Sequence, residues 1–185
     1  MAGGGRGFRP GRRRSLVQRT AASVSLPDHR EASTTSTSTS VRHKVVPDHV
    51  AVIMDGNYRW AVERGRSGEE GHAAGIEALR TLVECSVSHD ISALTVYAFS
   101  VDNWKRSERE RTFIFDLFET CLTTELAGLL EKGIRIRFIG NRAELPGGLR
   151  LLMERAEAMT LDNSRLHLTI AINYSARDDI VRAAR

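Results

Sequence analysis

The sequence lacks several features that mark whole classes of protein. None of its 185 residues belongs to an apolar run of roughly 18 or more residues, so we expect no membrane-spanning helix. The motifs G-x-G-x-x-G and G-x-x-x-x-G-K-[ST] are both absent, which disfavours a generic nucleotide-binding domain. The only cysteines are Cys85 and Cys121. Both fall on apolar positions of predicted helices without metal-ligand spacing, and we interpret them as reduced core residues.

Acidic residues are scarce in residues 1–44, where positive charge is concentrated. This segment holds nine Lys and Arg residues against two acids, whereas the remaining residues hold 18 basic and 21 acidic side chains. The formal net charge of +4 therefore comes from the start of the chain and not from the part that can fold. It gives no support for a nucleic-acid-binding surface, and we expect no nucleic-acid partner.

Residues 1–44 are rich in Arg, Ser, Thr and Gly and show no apolar periodicity. We predict that they form a disordered tail, with a flexible polar run at residues 33–40. The absence of an apolar h-region excludes a secretory signal, and the composition favours an organelle transit peptide, chloroplast or mitochondrial. A plain disordered extension is the alternative. Residues 45–185 have the length and composition of one folded domain.

From residue 45 onward, hydrophobic patterns of strand and helix period alternate. Four short apolar runs predict strands, at His49–Met54, Ala93–Phe99, residues 134–140 and Leu166–Asn173. Helical spacing predicts four helices, which begin near Gly71 or His72, at the S-x-x-E capping box of Ser107 and Glu110, after Pro146 and at Ser175. This order predicts an α/β fold, a parallel sheet with helices on both faces. Ligands of such sheets bind outside the carboxyl ends of the strands.

Polar side chains follow the first two predicted strands, where the carboxyl ends of the strands should meet. The first turn and the helix after it supply Asp55, Gly56, Asn57, Arg59, Trp60 and His72. The second turn supplies Ser100, Asp102, Asn103, Trp104, Lys105 and Arg106. Arg can bind two phosphate oxygens at once, and one carboxylate plus substrate phosphates is a usual way to hold Mg²⁺. The two turns together predict a site for a polyphosphate and a hard metal ion.

Each of these residues also has a structural interpretation. Asp-Gly-Asn after a strand is common turn chemistry, and His72 alone fits a helix start. Trp60 and Trp104 could cap the core. Lys105 and Arg106 could form a solvated edge. The functional interpretation depends on co-location, because two consecutive turns at one sheet edge each carry Asn, Trp and Arg.

Six stretches carry a family resemblance: HVAVIMDGNYRWA, GHAAG, LTVYAFSVDNWKR, LFET, GIRIRFIG and INYSARDDIV. They resemble the cis-prenyltransferases, the undecaprenyl and dehydrodolichyl diphosphate synthases, with plant-type members closest, from about Pro47 to the end of the chain. The resemblance implies the fold of that family and a transferase that uses Mg²⁺ to extend an allylic diphosphate with isopentenyl diphosphate units. Each addition would form a cis double bond and release pyrophosphate, and the product would be a polyprenyl diphosphate.

The resemblance also implies the surroundings of the protein. Family members form homodimers or heterodimers, and association with a membrane would come from the lipid product. The plant-type likeness, together with the tail, favours a plastid location. A mitochondrial location, or one in the cytoplasm or at the endoplasmic reticulum surface, is the alternative.

Carried over residue by residue, the resemblance assigns Asp55 as a catalytic residue that holds Mg²⁺ and the diphosphate. It places the rest of the first turn around the allylic substrate: Gly56, Asn57, Tyr58, Arg59 and Trp60. His72 would contact phosphate, and the second turn would position the reacting groups through Ser100, Asn103, Trp104 and Arg106. Asn103 is the family's proposed proton acceptor, but an amide is so weak a base that we expect it to orient the substrate.

An apolar tunnel would house the growing hydrocarbon. The second predicted helix offers one candidate wall, formed by Leu117, Cys121, Leu122, Leu126 and Leu129. Ordinary core packing explains the same stripe equally well.

The sequence departs from the family's pattern at three positions. Tyr58 stands where a smaller or basic residue is usual, Gly68 lies near a phosphate-binding Arg of bacterial members, and Asp102 replaces a common Glu. The chain also stops at Arg185, before an R-x-S-G-E-type motif, so we expect a fragment or a truncated product. The alternative function is a non-catalytic homologue that binds diphosphate or pairs with a complete cis-prenyltransferase. The D-D-x-x-D motif of trans-type prenyltransferases is absent.

Overall fold

The computed structural model describes residues 46–185, which belong to one compact unit. The tail predicted over residues 1–44 lies outside the described residues, so the transit-peptide interpretation stays a prediction. Across residues 46–185, no helix combines the length and the apolar character needed to cross a bilayer.

Four strands and five α-helices follow one another along these residues. The strands are β1 (His49–Ile53), β2 (Ala93–Ser100), β3 (Ile134–Ile139) and β4 (Leu166–Tyr174). The helices are α1 (Asn57–Val62), α2 (Gly68–Ser88), α3 (Glu108–Glu131), α4 (Gly147–Met159) and α5 (Ala176–Ala183). A 3₁₀ segment (Val101–Lys105) follows β2. All four predicted strands and four predicted helices are confirmed, whereas α1 and the 3₁₀ segment lie where the sequence predicted polar turns.

The sheet is wholly parallel, with strand order β1-β2-β4-β3. Its register aligns Val50 with Leu94, Leu94 with Leu168, and Leu168 with Ile136. Because side chains alternate along each strand, these four residues share one face of the sheet. The apolar pattern of the four strands therefore produces a single buried face.

The hydrophobic core lies on this face, between the sheet and helices α2, α3 and α4. Val83, Phe115 and Met153 contribute one buried side chain from each helix. Helices α2, α3 and α4 form the helical layer on this face of the sheet. It is one of the two layers that the sequence predicts. On the opposite face Ala51 and Arg137 are exposed.

Helix α2 begins earlier than the sequence analysis predicted. Ser67 caps it, since the Ser67 hydroxyl accepts from Glu70 N–H at 3.1 Å and the Glu70 carboxylate accepts from Ser67 N–H at 2.8 Å. The start predicted at Gly71 or His72 was wrong because this S-x-x-E capping box was overlooked. His72 consequently lies in the second turn of the helix, so the interpretation of it as a helix-start residue is also wrong.

Candidate active site

The turns after β1 and β2 emerge at the same edge of the sheet, as the sequence predicted. The two strands are adjacent, parallel and in register up to Ile53 and Tyr97, and Met54 N–H donates to the Tyr97 carbonyl at 3.1 Å. Side chains from both turns and from the helices beyond them line one cavity. The four predicted site residues that meet there are Asn57, His72, Asn103 and Arg106.

The first turn presents an exposed carboxylate. Asp55 Oδ1 accepts from Gly56 N–H at 2.6 Å, and Asp55 Oδ2 accepts from Arg59 Nη2 at 3.3 Å. The Asp55 and Arg59 side chains are 79% and 74% exposed, so both are open to a ligand from solvent. Gly56 has φ of +91°, a left-handed conformation that favours glycine and lets α1 begin directly after the strand.

Two glycines of α2 allow α1 to approach closely and so position Asn57. A Cβ added to Gly75 would lie 2.6 Å from Asn57 Nδ2, and one added to Gly71 would collide with the Asn57 backbone carbonyl and with Ala61. Ala61 is fully buried in this contact. The small residues at these positions therefore determine where the Asn57 amide enters the cavity.

Gly75→Ala is expected to destabilise the fold through the Asn57 side chain alone. Overpacking of this kind costs roughly 1–3 kcal/mol. In an Asn57→Ala background this cost should vanish. Alanine at position 75 should then be more stable than glycine by up to about 1 kcal/mol, because it has the higher helix propensity. Gly71→Ala is the matched control, because its collision is with backbone and should persist in both backgrounds. Urea denaturation of these single and double variants measures the coupling, and a Gly75→Ala cost that is equal in both backgrounds would contradict the contact.

The second turn is held in shape by its own side chains and by α3. Asn103 Oδ1 accepts from Ser100 N–H at 2.9 Å, which closes the 3₁₀ segment. Arg111 Nη1 donates to the carbonyls of Trp104 and Arg106 at 2.8 and 2.9 Å. These bonds fix the backbone that carries Asn103 and Arg106 toward the cavity.

Trp104 packs into the core and does not line the cavity. Its ring lies 5.8 Å from that of Phe99 and 5.6 Å from that of Phe115, and its indole N–H donates to Asn173 Oδ1 at 2.8 Å. Asn173 is buried in a left-handed conformation and donates to Asn141 O and Glu144 Oε2. The interpretation of Trp104 as a cap on the core is therefore confirmed.

The other predicted residues of the two turns also lie outside the cavity lining. The Trp60 ring is covered by the guanidinium groups of Arg64, at 4.6 Å, and Arg66, at 5.5 Å. Tyr58 is 61% exposed, and its ring lies against Gly68. On the outer side of the second turn, Lys105 and Asp102 form an exposed ion pair at 2.6 Å.

Glu110 links His72 and Arg106 at the mouth of the cavity. Glu110 Oε1 lies 2.8 Å from Arg106 Nη1 and 3.6 Å from His72 Nε2. The sequence analysis assigned Glu110 to a capping box with Ser107. Only half of that box forms: Glu110 N–H donates to the Ser107 hydroxyl, while the carboxylate pairs with Arg106. The i, i+4 spacing from Arg106 was the signal that could have predicted this pairing.

One ring nitrogen of His72 is only weakly paired at this mouth, because Glu110 lies just beyond hydrogen-bond distance. Its Nε2 is buried and has no hydrogen-bond partner among the described residues. Burial lowers the pKa of His72, and Arg106 lowers it further, while Glu110 opposes both effects. A neutral imidazole with an unsatisfied nitrogen is therefore available to a ligand in the cavity.

His72 is expected to make the fold less stable in mild acid. Because the pKa of His72 is lowered in the folded state, the unfolded chain binds the proton more readily. The free energy of unfolding should therefore fall as the pH drops below about 6.5, the ordinary His value, until the folded pKa is passed. Denaturant titrations at pH values from about 7.5 to about 5 measure the free energy of unfolding of the unaltered protein and of His72→Gln. The part of the stability loss that comes from His72 should be absent in the variant. An equal pH dependence in both proteins would contradict the assignment.

The cavity has a volume of about 200 Å³ and extends between α2, α3 and the sheet. Beyond the mouth its lining is mostly apolar. Of the wall predicted on α3, Leu117, Cys121, Leu122 and Leu129 line this cavity, while Leu122, Leu126 and Leu129 also pack against the core. An apolar interior behind a polar mouth fits a ligand with a charged head and a hydrocarbon tail.

Both cysteines are free, but only one is in the interior. Cys121 is half-buried in the cavity wall, and burial raises the pKa of its thiol. The prediction of Cys85 as a core residue was wrong. It lies on the exposed side of α2 beside His89, because its apolar neighbours in sequence fall on the other side of the helix.

Asp55 is the highly exposed carboxylate of this site that a hard metal ion could bind. Within residues 46–185, no group of three His, Cys, Asp or Glu side chains is placed to hold a metal. Asp55 nevertheless fits Mg²⁺, which is commonly bound by one or two carboxylates together with substrate phosphates and water. Its exposure leaves room for all of these partners.

Comparison with known proteins gives a consistent family. The family described as "Putative undecaprenyl diphosphate synthase" matches residues 53–185. An isoprenyl transferase of Heliobacterium mobile is 49% identical over 140 residues, which cover 76% of this chain and 54% of that protein. The chloroplastic cis-prenyltransferase 4 of Solanum lycopersicum is 43% identical over 171 residues, 92% of this chain and 52% of that protein. The chain spans about half the length of the curated relatives it matches.

A solved structure shares the fold. Lavandulyl diphosphate synthase from Lavandula x intermedia, crystallised with dimethylallyl diphosphate, superposes with a TM-score of 0.72 and 33% identity. The match covers 75% of this chain and 59% of that protein. The fold expected from the sequence resemblance is therefore confirmed.

Proposed function

Because this chain belongs to the undecaprenyl diphosphate synthase family, we propose that the protein condenses isopentenyl diphosphate onto an allylic diphosphate. Each condensation forms a cis double bond and releases pyrophosphate, and the product is a polyprenyl diphosphate. One observation carries the proposal: a polar cluster stands at the mouth of an apolar cavity. Prenyl diphosphates have that same division between an anionic head and a hydrocarbon tail.

The diphosphate head binds at the mouth. Arg106 uses one nitrogen for Glu110 and retains others for phosphate oxygens, since a guanidinium carries five N–H donors. Arg59 is exposed beside Asp55 and can turn to the same anion. Asn57 and the free Nε2 of His72 face the cavity and complete the set. Negative charge that accumulates on the leaving pyrophosphate is stabilised by these cations and hydrogen-bond donors.

Asp55 would hold Mg²⁺ against the diphosphate. The bound ion would supply Lewis-acid stabilisation of the leaving phosphate oxygens. The hydrogen bond from Gly56 N–H fixes Asp55 Oδ1, while the contact of Oδ2 with Arg59 is longer, at 3.3 Å. Asp55 can therefore exchange its arginine partner for a cation without any change of backbone.

Asn103 orients the reacting groups and does not take the proton. Its Oδ1 already accepts from Ser100 N–H, and a neutral amide is a very weak base. The same bond fixes the side chain, so its Nδ2 donors keep one direction at the cavity mouth. Trp104 and Ser100 act through the position of this segment and not by touching substrate.

A product assay tests the proposed function. The full-length protein is supplied with Mg²⁺, farnesyl or geranylgeranyl diphosphate and labelled isopentenyl diphosphate, and lipid products are separated by length. We expect radiolabelled polyprenyl diphosphates that disappear when Mg²⁺ is chelated. A protein that binds the primer but makes no longer product at any Mg²⁺ concentration would contradict the proposal. The relatives are named as transferases, so the alternative of a non-catalytic homologue is not favoured.

The location and partners proposed for the protein follow from its relatives. Tomato members named chloroplastic support a plastid location. We propose that the complete protein works as a homodimer or heterodimer and meets membranes through its lipid product. Fractionation of plastids with an antibody to this protein would test the location.

A further inference from the structure

Arg111 does not line the cavity, but it is bonded to the turn that carries two residues of the cavity mouth. It is half-buried and is the fourth residue of α3, in the first turn of that helix. A cation is unfavourable there, because the N-terminus is the positive end of the helix dipole. Helix electrostatics therefore do not explain an arginine at this position, and the contacts of its side chain have to.

The Arg111 guanidinium holds the backbone of the second turn at two points. Its Nη1 donates to the Trp104 carbonyl at 2.8 Å and to the Arg106 carbonyl at 2.9 Å. These carbonyls lie on either side of Lys105, so one nitrogen bridges the end of the 3₁₀ segment. The guanidinium carbon also lies 5.7 Å from the centre of the Trp104 ring. Both hydrogen bonds have a charged donor, which makes them stronger than bonds between neutral groups.

Arg111 has this role without an acidic partner. Within residues 46–185, no ion pair includes it. The neighbouring Glu110 pairs instead with the Arg106 side chain. Two adjacent residues of α3 therefore hold Arg106, since Glu110 binds its side chain and Arg111 binds its backbone. Partial burial of a cation without an acid costs free energy, so Arg111 is better suited to fix the turn than to stabilise the fold.

We propose that Arg111 is a positioning residue that holds the second turn in its ligand-binding conformation before a diphosphate arrives. The inference rests on the proposed function, because the turn serves the diphosphate head that Arg106 binds. Without Arg111, the carbonyls of Trp104 and Arg106 lose their partner on α3, and the turn opens more often. Binding of a ligand must then include the free energy of ordering the turn, which lowers the apparent affinity.

The expected kinetic consequence is a higher KM with little change in kcat. A bound diphosphate contacts the Arg106 side chain directly and so draws the turn back to its closed position. Arg111→Met should therefore raise KM for farnesyl diphosphate by roughly tenfold and lower kcat by less than about threefold. Arg111→Lys retains a charged donor without the planar guanidinium, and it should recover part of the loss.

Arg109→Met is the matched control. Arg109 lies in the same turn of α3, is 86% exposed and pairs with Glu69 at 3.0 Å. Its replacement removes the same charge from the same helix end without a contact to the second turn. KM should then change by less than about twofold, because the lost charge is exposed and screened by salt.

Hydrogen exchange of the ligand-free, full-length protein tests the proposal without any substrate. Peptides that span residues 101–106 report opening of the turn, including the Arg106 N–H that donates to the Asn103 carbonyl. Their exchange should be roughly tenfold faster in Arg111→Met and unchanged in Arg109→Met. Saturation with farnesyl diphosphate should restore slow exchange in Arg111→Met. Peptides from β2 should exchange alike in all these proteins, which shows that the global stability is unchanged.

Unchanged exchange of the turn in Arg111→Met would overturn the proposal and leave the proposed function standing. An equal rise of KM in Arg111→Met and Arg109→Met would also overturn it, because charge alone would then explain the effect. If the unaltered protein makes no longer product from farnesyl diphosphate and isopentenyl diphosphate, the proposed function fails. Faster exchange of the ligand-free turn in Arg111→Met would in that case still support the role of Arg111 in holding the turn.

Discussion

Replacement of Asp55 by alanine is expected to abolish product formation while leaving the fold intact. The side chain is 79% exposed, and within residues 46–185 it pairs only with the similarly exposed Arg59 and a neighbouring N–H. Exposed pairs of this kind contribute about 1 kcal/mol or less to stability. The proposed contribution of Asp55 to catalysis, by holding the metal and the diphosphate, is far larger than this contribution to stability. Its loss should lower kcat by roughly a thousandfold or more.

Asp102→Ala is the control for this experiment. Asp102 is 83% exposed, belongs to the neighbouring turn and forms a comparable pair with Lys105. It removes the same charge from the same edge of the sheet without touching the cavity, so kcat should change by less than about threefold. Equal losses in the two variants would mean that net charge at this edge, and not a bound metal, explains the effect. Urea denaturation of both proteins should show similar midpoints.

Replacement of Asn173, which the sequence analysis did not single out, is also expected to have a large effect on stability and on kcat. Its side-chain amide accepts from Trp104 and donates to Asn141 and Glu144. Asn173→Ala leaves a part-buried indole N–H unsatisfied and places alanine at φ of +47°, which together should cost roughly 3 kcal/mol of unfolding free energy. Because Trp104 carries the segment with Asn103, catalysis should also fall, mainly in kcat.

Asn163→Ala provides the comparison for Asn173. Asn163 also donates a side-chain amide to a backbone carbonyl, that of Ile134 at 2.9 Å, but it lies just before β4, at the opposite edge of the sheet. Its loss should cost about 1 kcal/mol and leave kcat unchanged. A loss of kcat in Asn163→Ala as large as in Asn173→Ala would show that general destabilisation, and not the Trp104 contact, affects the site.

The sequence predicted the elements of this fold well because apolar period is a local property. The apolar patterns place the four strands within one residue of where they lie. The position of β4 between β2 and β3 was not predicted, since neither period nor turn chemistry states which strands pair. Helix α1 was missed because its six residues are too few to show a helical period, and because Gly56 reads as a turn.

The candidate site was predicted at the level of which turns meet, and less well at the level of single side chains. Asn57, His72, Asn103 and Arg106 do line one cavity, because adjacent parallel strands end at one edge. Trp104 turned inward instead, since an indole gains more from aromatic packing than from exposure. The ion pairs Arg80–Glu125 and Glu84–Lys132 join helices distant in sequence, and no local pattern reveals such contacts.

A crystal structure with a non-hydrolysable farnesyl diphosphate analogue tests the central claim most directly. The diphosphate should lie within hydrogen-bond distance of Asn57, Arg106 and His72, with Mg²⁺ on Asp55. The hydrocarbon should extend into the apolar cavity between α2, α3 and the sheet. A tail on the opposite face of the sheet, or a diphosphate away from these turns, would contradict the account.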